Sequence, residues 1–223
     1  MRLGAIITLT ALLLGQPALA GHTVPPNRPG AYAPRDTCVK TPAARSFVAR
    51  LRSAVARRDV RALVDLAAGD VQLDFGGGSG KVLLRSQLTG KDGPALWHEF
   101  EEVLSLGCAM DRGDMAFPWL YAQELGDVDP FEALVATGPA VPIYARANTR
   151  SAPIGRLNWQ MVIVQEGNLG PEADKRPMRR VSVINSPLEG YVPSDKLRSV
   201  IDRRLIVTRH GSVWEISAFV AGD

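Results

Sequence analysis

Histidine and cysteine are scarce in this chain, and their scarcity argues against several kinds of catalysis. The chain has two cysteines, Cys38 and Cys108, and three histidines, His22, His98 and His210. A Cys–His peptidase needs a thiolate beside an imidazole, and a zinc amidase needs at least two imidazoles with a carboxylate or water. The histidines lie in a proline-rich segment, a predicted helix and a predicted turn. We therefore expect no catalytic residues, no metal site and no cofactor.

Long apolar runs are also lacking, apart from one near the N-terminus. Arg2 precedes an apolar run over residues 5–14, and Ala18, Leu19 and Ala20 follow with small residues at the outer two positions. This pattern is typical of a secretory signal peptide that is cleaved after Ala20. The run is shorter than the roughly 20 residues that span a bilayer. The sequence therefore predicts a periplasmic or secreted protein that is not an integral membrane protein.

The chain has no large excess of charge of either sign. It carries 26 Lys and Arg against 23 Asp and Glu, and loss of residues 1–20 removes only Arg2 from these counts. Nucleic-acid binding needs clustered positive charge, whereas the basic residues here are interleaved with Asp and Glu. We therefore do not expect the protein to bind nucleic acid. The charges are unevenly divided, however. Residues 138–199 carry nine basic and five acidic side chains, whereas residues 38–137 carry eleven and fourteen. The positive balance of the later region is compatible with an acidic partner such as a peptide-bearing wall polymer, and an ordinary solvated surface explains it equally well.

Two cysteines allow one intramolecular disulfide. Because an exported protein folds in an oxidising compartment, the sequence predicts a bond between Cys38 and Cys108. In the chain-entropy model, closing so long a loop raises the free energy of unfolding by roughly 4 kcal/mol.

Helical spacing dominates the N-terminal part of the chain. Residues 21–37 are proline-rich and are predicted to form a flexible tail. Thr41 and Pro42 have the residue types that begin a helix, Asp59 is suited to cap a second one, and a third is predicted over residues 93–106. Between the second and third helices, alternation over residues 71–75 predicts one half-buried strand.

Two local motifs in this region have an alternative, functional interpretation. His98 lies at helical spacing from Glu101 and Glu102, which could form a metal site or an acid/base pair. We interpret them as an exposed helix face. The glycine-rich run over residues 76–80 follows a predicted strand, but no Lys-Ser/Thr pair follows at the spacing of a phosphate loop. It is interpreted as a flexible turn.

The last 24 residues predict a β-hairpin over residues 203–220. Its apolar residues need a packing partner, and one strand in the N-terminal part cannot form a stable sheet. We therefore expect the hairpin to pack on the N-terminal helices and to supply two strands there.

Residues 136–199 resemble a bacterial SH3-like domain. Residues 143–148 lead at the family's spacing to Ile154-Gly155-Arg156-Leu157, and the closing pattern G-Y-V-x-x-x-x-L is matched by residues 190–197. The resemblance implies a small β-barrel with a ligand groove. Three positions depart from the pattern, with Tyr144 for the usual Arg, Ala147 for the usual Pro and Met178 for a usual aromatic.

Three aromatic residues of this region are the candidate ligand-binding residues. Tyr144 occupies the first turn, Tyr191 belongs to the closing strand, and Trp159 lies where SH3-like loops border a groove.

A second resemblance concerns the two ends of the chain. The pattern D-V-x-L-x-F at residues 70–75 and the pattern W-x-I-x-x-F at residues 214–219 resemble the opening and close of an NTF2-like α+β domain. This resemblance implies a curved sheet around the helices, built from residues 38–135 and 200–223, with residues 136–199 as an insertion. The predicted fold class is thus α+β: N-terminal helices with a small curved antiparallel sheet, plus an SH3-like β-barrel.

Two functions are compatible with these patterns. The first is a non-catalytic accessory protein whose barrel binds peptidoglycan peptide or a protein of the cell envelope. The second is an NTF2-like pocket that binds a small molecule or acts as an enzyme, with the barrel as an accessory. A deep pocket with polar groups among apolar walls would favour the second.

Overall fold

The computed structural model describes residues 25–165 and 175–222. The predicted signal peptide lies outside these residues. None of the described helices combines the length and the apolar character that crossing a bilayer requires.

The first two helices begin where the sequence predicts. The hydroxyl of Thr41 accepts a hydrogen bond from the amide of Ala44 at 3.2 Å, and Asp59 accepts one from the amide of Ala62 at 2.9 Å. These caps satisfy amides that have no partner inside a helix. One helix was not predicted, and it places two leucines, Leu84 and Leu88, one turn apart on its buried face. The described helices are α1 (Pro42–Ala56), α2 (Val60–Asp65), α3 (Lys81–Thr89) and α4 (Gly93–Ser105), with short 3-10 helices at Trp119–Ala122 and Ser194–Lys196.

Six strands form a sheet that packs on these helices, and we call the helices and this sheet the first unit. The order across the sheet is β1-β3-β4-β12-β13-β2, with parallel pairing at both edges and antiparallel pairing elsewhere. The predicted strand begins four residues earlier than expected. The strands are β1 (Arg35–Asp36), β2 (Ala67–Gln72), β3 (Gly107–Asp111), β4 (Asp114–Phe117), β12 (Arg204–His210) and β13 (Val213–Val220).

The C-terminal hairpin completes this sheet, as predicted. Leu205 of β12 pairs with Phe117 of β4, and Ile216 of β13 pairs with Ala67 of β2. Both hairpin strands are therefore interior strands of the six-stranded sheet.

The first unit has a core rich in large aromatic side chains. Phe100 of α4 stacks on Phe219 of β13, with ring centroids 3.8 Å apart and planes 12° apart. Phe47 and Leu51 of α1 are completely buried in the same cluster. Helices and sheet thus enclose a filled interior.

The disulfide predicted between Cys38 and Cys108 is present, with the two Cα atoms 5.5 Å apart. It ties the segment before α1 to β3, inside the same core. A disulfide indicates an oxidising environment, as expected for an exported protein.

Residues 133–199 form the second unit, which consists of one open sheet and one hairpin. The five-stranded antiparallel sheet has the order β10-β9-β8-β5-β11, and its core consists of aliphatic side chains. Its strands are β5 (Ala133–Ala136), β8 (Met161–Val164), β9 (Met178–Val183), β10 (Glu189–Pro193) and β11 (Leu197–Ser199), beside the hairpin of β6 (Val141–Ile143) and β7 (Gly155–Leu157).

The closed SH3-like barrel predicted for residues 136–199 is not formed by the described strands. Between the hairpin and the sheet, one isolated bridge joins Tyr144 to Tyr191. β6 and β7 each have three residues, and Pro142 of β6 has no amide to donate to a further strand. The ladder that would close the barrel is therefore absent from the described part of the chain.

The N-terminal segment 25–36 packs across both units, which differs from the predicted flexible tail. The buried Asn27 side chain donates to the carbonyls of Met161 and Ile184, both at 2.9 Å, and accepts from the Met161 amide at 2.7 Å. Farther along, β1 pairs with β3 of the first unit. Its tight fit requires Gly107, which has a φ of +75°, because a Cβ there would lie 2.2 Å from the carbonyl oxygen of Arg35.

A third apolar cluster lies between the two units. Tyr32 is buried in it, and burial raises the pKa of its hydroxyl. The segment 25–36 therefore joins the two units through hydrogen bonds and apolar packing. The cluster's buried residues are Tyr32, Ala109, Trp119, Leu120, Ala133, Val135, Met161 and Val200.

Candidate ligand-binding site

A cavity of about 590 Å³ opens on the second unit between β9, β10 and the turn after β6. Tyr191 of β10 contributes an aromatic wall, and three arginines give the lining a positive charge. We call it the arginine cavity. Its lining residues are Ala147, Asn148, Thr149, Arg150, Arg176, Pro177, Met178, Arg180 and Tyr191.

The turn that borders this cavity is held by hydrogen bonds of one residue. The side-chain oxygen of Asn148 accepts a hydrogen bond from the amide of Arg150 at 2.9 Å. The backbone carbonyl of Asn148 accepts one from the hydroxyl of Ser151 at 2.8 Å. Such Asx turns hold a loop without help from a sheet ladder. The turn therefore presents Thr149 and Arg150 at the cavity edge in a defined backbone conformation.

Two of the three candidate aromatic residues are brought together at this site. The amide of Tyr144 donates to the carbonyl of Tyr191 at 2.9 Å, and the reciprocal bond measures 2.8 Å. Tyr144 is 8% exposed, whereas Tyr191 is half-buried and lines the cavity. The neighbouring Gly190 allows this approach, because a Cβ there would lie 2.5 Å from the Tyr144 carbonyl oxygen.

The third candidate, Trp159, is positioned elsewhere. Its φ is +46°, its amide donates to Gly138, and its carbonyl accepts from the amide of Tyr32. The side chain packs against the cluster between the units and is not among the residues that line the arginine cavity. Its place in the fold is therefore at the junction of the units.

The cavity's charge comes from residues that the sequence did not single out. Arg180 forms an ion pair with Glu189 at 3.1 Å, and Arg150 and Arg176 add two further guanidinium groups. Arginine side chains bind carboxylates through two parallel hydrogen bonds, a geometry that lysine cannot provide. For these arginines, the sequence signal was the positive balance of residues 138–199.

His98 and its neighbouring glutamates form an exposed helix face, as interpreted from the sequence. The imidazole lies 3.5 Å from Glu102 and 3.9 Å from Glu101, and its side chain is 67% exposed. Among residues 25–165 and 175–222, no group of three or more His, Cys, Asp or Glu side chains is placed to hold a metal ion.

The glycine-rich run uses its amides within its own loop. Asp74 accepts hydrogen bonds from the amides of Gly76 at 2.8 Å and Gly78 at 2.7 Å. A phosphate loop would instead direct its amides at a ligand. This agrees with the interpretation of the run as a turn.

Another cavity, of about 520 Å³, lies in the first unit between the end of β2, α3 and the start of α4. Leu73 and Leu96 provide apolar surface, while Lys91 and Asp92 are polar. Arg203 also lines it and forms a 2.9 Å ion pair with Glu99. We call it the helix-end cavity; it combines apolar walls with charged groups.

No protein-family model matches the chain, and no curated protein matches it. Two solved structures are similar at 11% identity and a TM-score of 0.28. One is a variant of a protein named Rd1NTF2_05, matched over 80% of this chain and 96% of its own. The other is an NTF2-like protein with a cystatin-like fold from Novosphingobium aromaticivorans, matched over 79% of this chain and 76% of its own. Both names refer to NTF2-like proteins. The α+β assignment depends on the strand order and core described above.

Proposed function

We propose that the protein is a non-catalytic, periplasmic binding protein and that its arginine cavity holds an acidic peptide of the cell envelope. The peptide belongs to peptidoglycan or to an envelope protein. The observation that carries the proposal is the convergence of Arg150, Arg176 and Arg180 with Tyr191 around one cavity. Guanidinium groups bind carboxylates, and the tyrosine ring offers a flat surface to the peptide's apolar parts.

The shape of the site supports a peptide rather than a reaction centre. The cavity is bordered by a turn and a strand edge, and its described lining residues include no histidine or cysteine. Its positive charge would attract carboxylate-bearing ligands and raise their local concentration. The ligand's free carboxylates are therefore the groups that the site recognises.

Calorimetric titration with a synthetic, carboxylate-bearing wall peptide tests this proposal. The same peptide with amidated carboxylates is the control ligand. We expect Arg150→Ala combined with Tyr191→Ala to weaken binding of the acidic peptide about tenfold or more, because a charge-assisted hydrogen bond contributes ~1.5–3 kcal/mol. Arg85→Ala removes an exposed arginine of α3 and should leave binding unchanged. Equal binding of the amidated peptide would contradict the proposal.

The absence of catalysis is tested separately. Purified protein incubated with sacculi should release no muropeptides. Release that is abolished by His98→Ala would overturn the non-catalytic part of the proposal, whereas a pull-down with sacculi and envelope lysate would still report binding.

A second candidate function is small-molecule binding in the helix-end cavity. The observation that favours it is the combination of Leu73 and Leu96 with the Arg203–Glu99 pair in a space of about 520 Å³. Ligand sites are typically apolar with a few polar groups that fix the orientation of the ligand. A thermal-shift screen of small carboxylates and amines, repeated on Leu96→Trp, tests this function. A ligand that stabilises the parent protein and no longer stabilises Leu96→Trp would favour it over the arginine cavity.

A further inference from the structure

Positive charge is concentrated on the first two helices. Residues 42–66 contain six arginines and two aspartates, a net charge of +4, and no lysine. The remainder of the region 38–137 carries five basic and twelve acidic side chains, a net charge of −7. The helix pair α1–α2 is therefore a positive surface on an otherwise negative unit.

The acidic groups near this surface pair with arginines other than Arg50 and Arg57, or cap a helix. Asp36 binds Arg52 through two hydrogen bonds of 2.6 and 2.8 Å, and Asp59 caps α2. Arg58 pairs with Glu101 of α4 at 3.4 Å. These contacts neutralise the arginines toward the edges of the helix pair.

Two arginines at the centre, Arg50 and Arg57, line a cavity of about 510 Å³ between α1 and α2. They lie seven residues apart, which places them on one face of α1, and Ser53 lies between them on that face. The guanidinium of Arg57 donates to the Ser53 hydroxyl, so it folds back by one turn toward Arg50. The guanidinium of Arg50 lies 5.8 Å from the Phe47 ring, near the limit of a cation–π contact, so little holds it away from the cavity.

The rest of the lining consists of two alanines, Leu66 and one carboxylate. Asp65 is that carboxylate, and it lies 3.9 Å from Arg61, outside the Arg50–Arg57 pair. Two guanidinium forks and a hydroxyl offer more donors than a carboxylate with two oxygens can accept. Inorganic phosphate or a phosphate monoester presents at least three free oxygens and matches this set of donors.

We propose that Arg50, Ser53 and Arg57 form a binding site for a phosphate group between α1 and α2. The site is separate from the arginine cavity of the second unit. Because the phosphate can belong to a soluble ion or to a lipid headgroup, the site either binds free phosphate or attaches the first unit to an anionic membrane surface.

Phosphorus NMR and calorimetry with inorganic phosphate test the first source. Cosedimentation with vesicles that contain phosphatidic acid, whose headgroup is a phosphate monoester, against vesicles of phosphatidylcholine alone, tests the second. We expect the full chain to bind in at least one of these assays. Combined Arg50→Ala and Arg57→Ala should weaken that binding at least tenfold, because both variants delete charge-assisted hydrogen bonds.

Two matched variants separate a specific site from general charge attraction. Arg58→Ala removes an arginine of the same surface that is paired with Glu101, and it should change binding less than twofold. Combined Arg50→Lys and Arg57→Lys keeps the charge, removes the forks and should restore only part of the affinity. All of these side chains are exposed or half-buried, so thermal unfolding should show intact folding of each variant.

Phosphate binding without vesicle binding supports a soluble ligand, and vesicle binding that depends on Arg50 and Arg57 supports a headgroup. No binding in either assay would overturn the proposal. An equal loss in Arg58→Ala, or full affinity in the lysine variant, would overturn it as well, because either result would show that charge alone is responsible.

Discussion

The two units of this protein are stabilised in opposite ways. The first unit is built from the two ends of the described chain, has an aromatic core and contains the disulfide. The second unit is one continuous segment whose core contains valine, leucine, isoleucine and alanine, with no aromatic residue in its buried cluster. In this protein, the sheet formed by long-range pairing therefore has the core with large aromatic side chains, and the sheet of shorter strands has a core of smaller aliphatic side chains.

The two units also differ in where their cavities lie. In the first unit, Phe100 and Phe219 fill the space between helices and sheet, so its cavities lie at the helix ends and between α1 and α2. In the second unit, the hairpin β6–β7 meets the sheet at one bridge, and the arginine cavity lies beside that bridge. Incomplete pairing thus leaves room for a ligand.

Deleting residues 200–223 should have the largest effect. It removes two interior strands of the six-stranded sheet, so we expect the first unit to unfold while β-structure of the second unit remains. Circular dichroism at 222 nm and limited proteolysis would measure this. A truncated protein that keeps a cooperative helical transition would contradict the proposed dependence on the hairpin.

Matched core truncations compare the two units directly. Phe100→Ala should lower the free energy of unfolding by about 3–5 kcal/mol, because it removes a completely buried ring and leaves a cavity. Val181→Ala in the second unit should cost about 2 kcal/mol, since it removes two methyl groups' worth of buried surface. Urea denaturation measures both. A larger loss for Val181→Ala would reverse the comparison.

Removing the disulfide should destabilise the first unit selectively. The bond joins residues separated by 70 positions. By constraining the unfolded chain, it raises the free energy of unfolding by about 2–4 kcal/mol. Combined Cys38→Ala and Cys108→Ala should lower the urea midpoint of the helical signal, while ligand binding at the arginine cavity stays intact. Loss of that binding would show that the two units are more tightly coupled than their separate cores indicate.

The smallest effect is expected at the contact that joins the segment 25–36 to the second unit. Asn27→Ala leaves the Met161 amide and two carbonyls without their partner, at a cost of about 1–3 kcal/mol. Hydrogen exchange should show faster opening near Met161 and Ile184, with the amides of α1 unchanged. Uniform acceleration across the chain would mean that the segment supports both units equally.

Local signals in the sequence predicted much of the first unit. Thr41, Pro42 and Asp59 define helix starts through interactions with their nearest neighbours, so the residues themselves suffice. The C-terminal hairpin was predicted to join the helices because its apolar surface needed a partner. The helix α3 was missed because its pattern consists of two leucines one turn apart, too short for a periodicity to emerge.

The site was harder to predict than the fold. The closed barrel was inferred from apolar spacing, but whether β6 and β7 continue pairing depends on Pro142 and on strand length. Trp159 was predicted to border the ligand groove because the sequence cannot show that the segment 25–36 folds back onto it. The arginines of the cavity come from separate strands and a turn, and only the three-dimensional fold places Arg150 beside Arg180.

The pairing of β5 with β11 has a consequence for the order of folding. Leu134 pairs with Ser199, so the second unit begins and ends at adjacent strands. Once this unit has formed, the chain on either side of it is already close together. The search that brings β12 to β4 then closes a short loop instead of spanning the whole insertion, which lowers its entropic cost. We therefore expect a second unit that has already folded to lower the entropic cost of forming the long-range sheet.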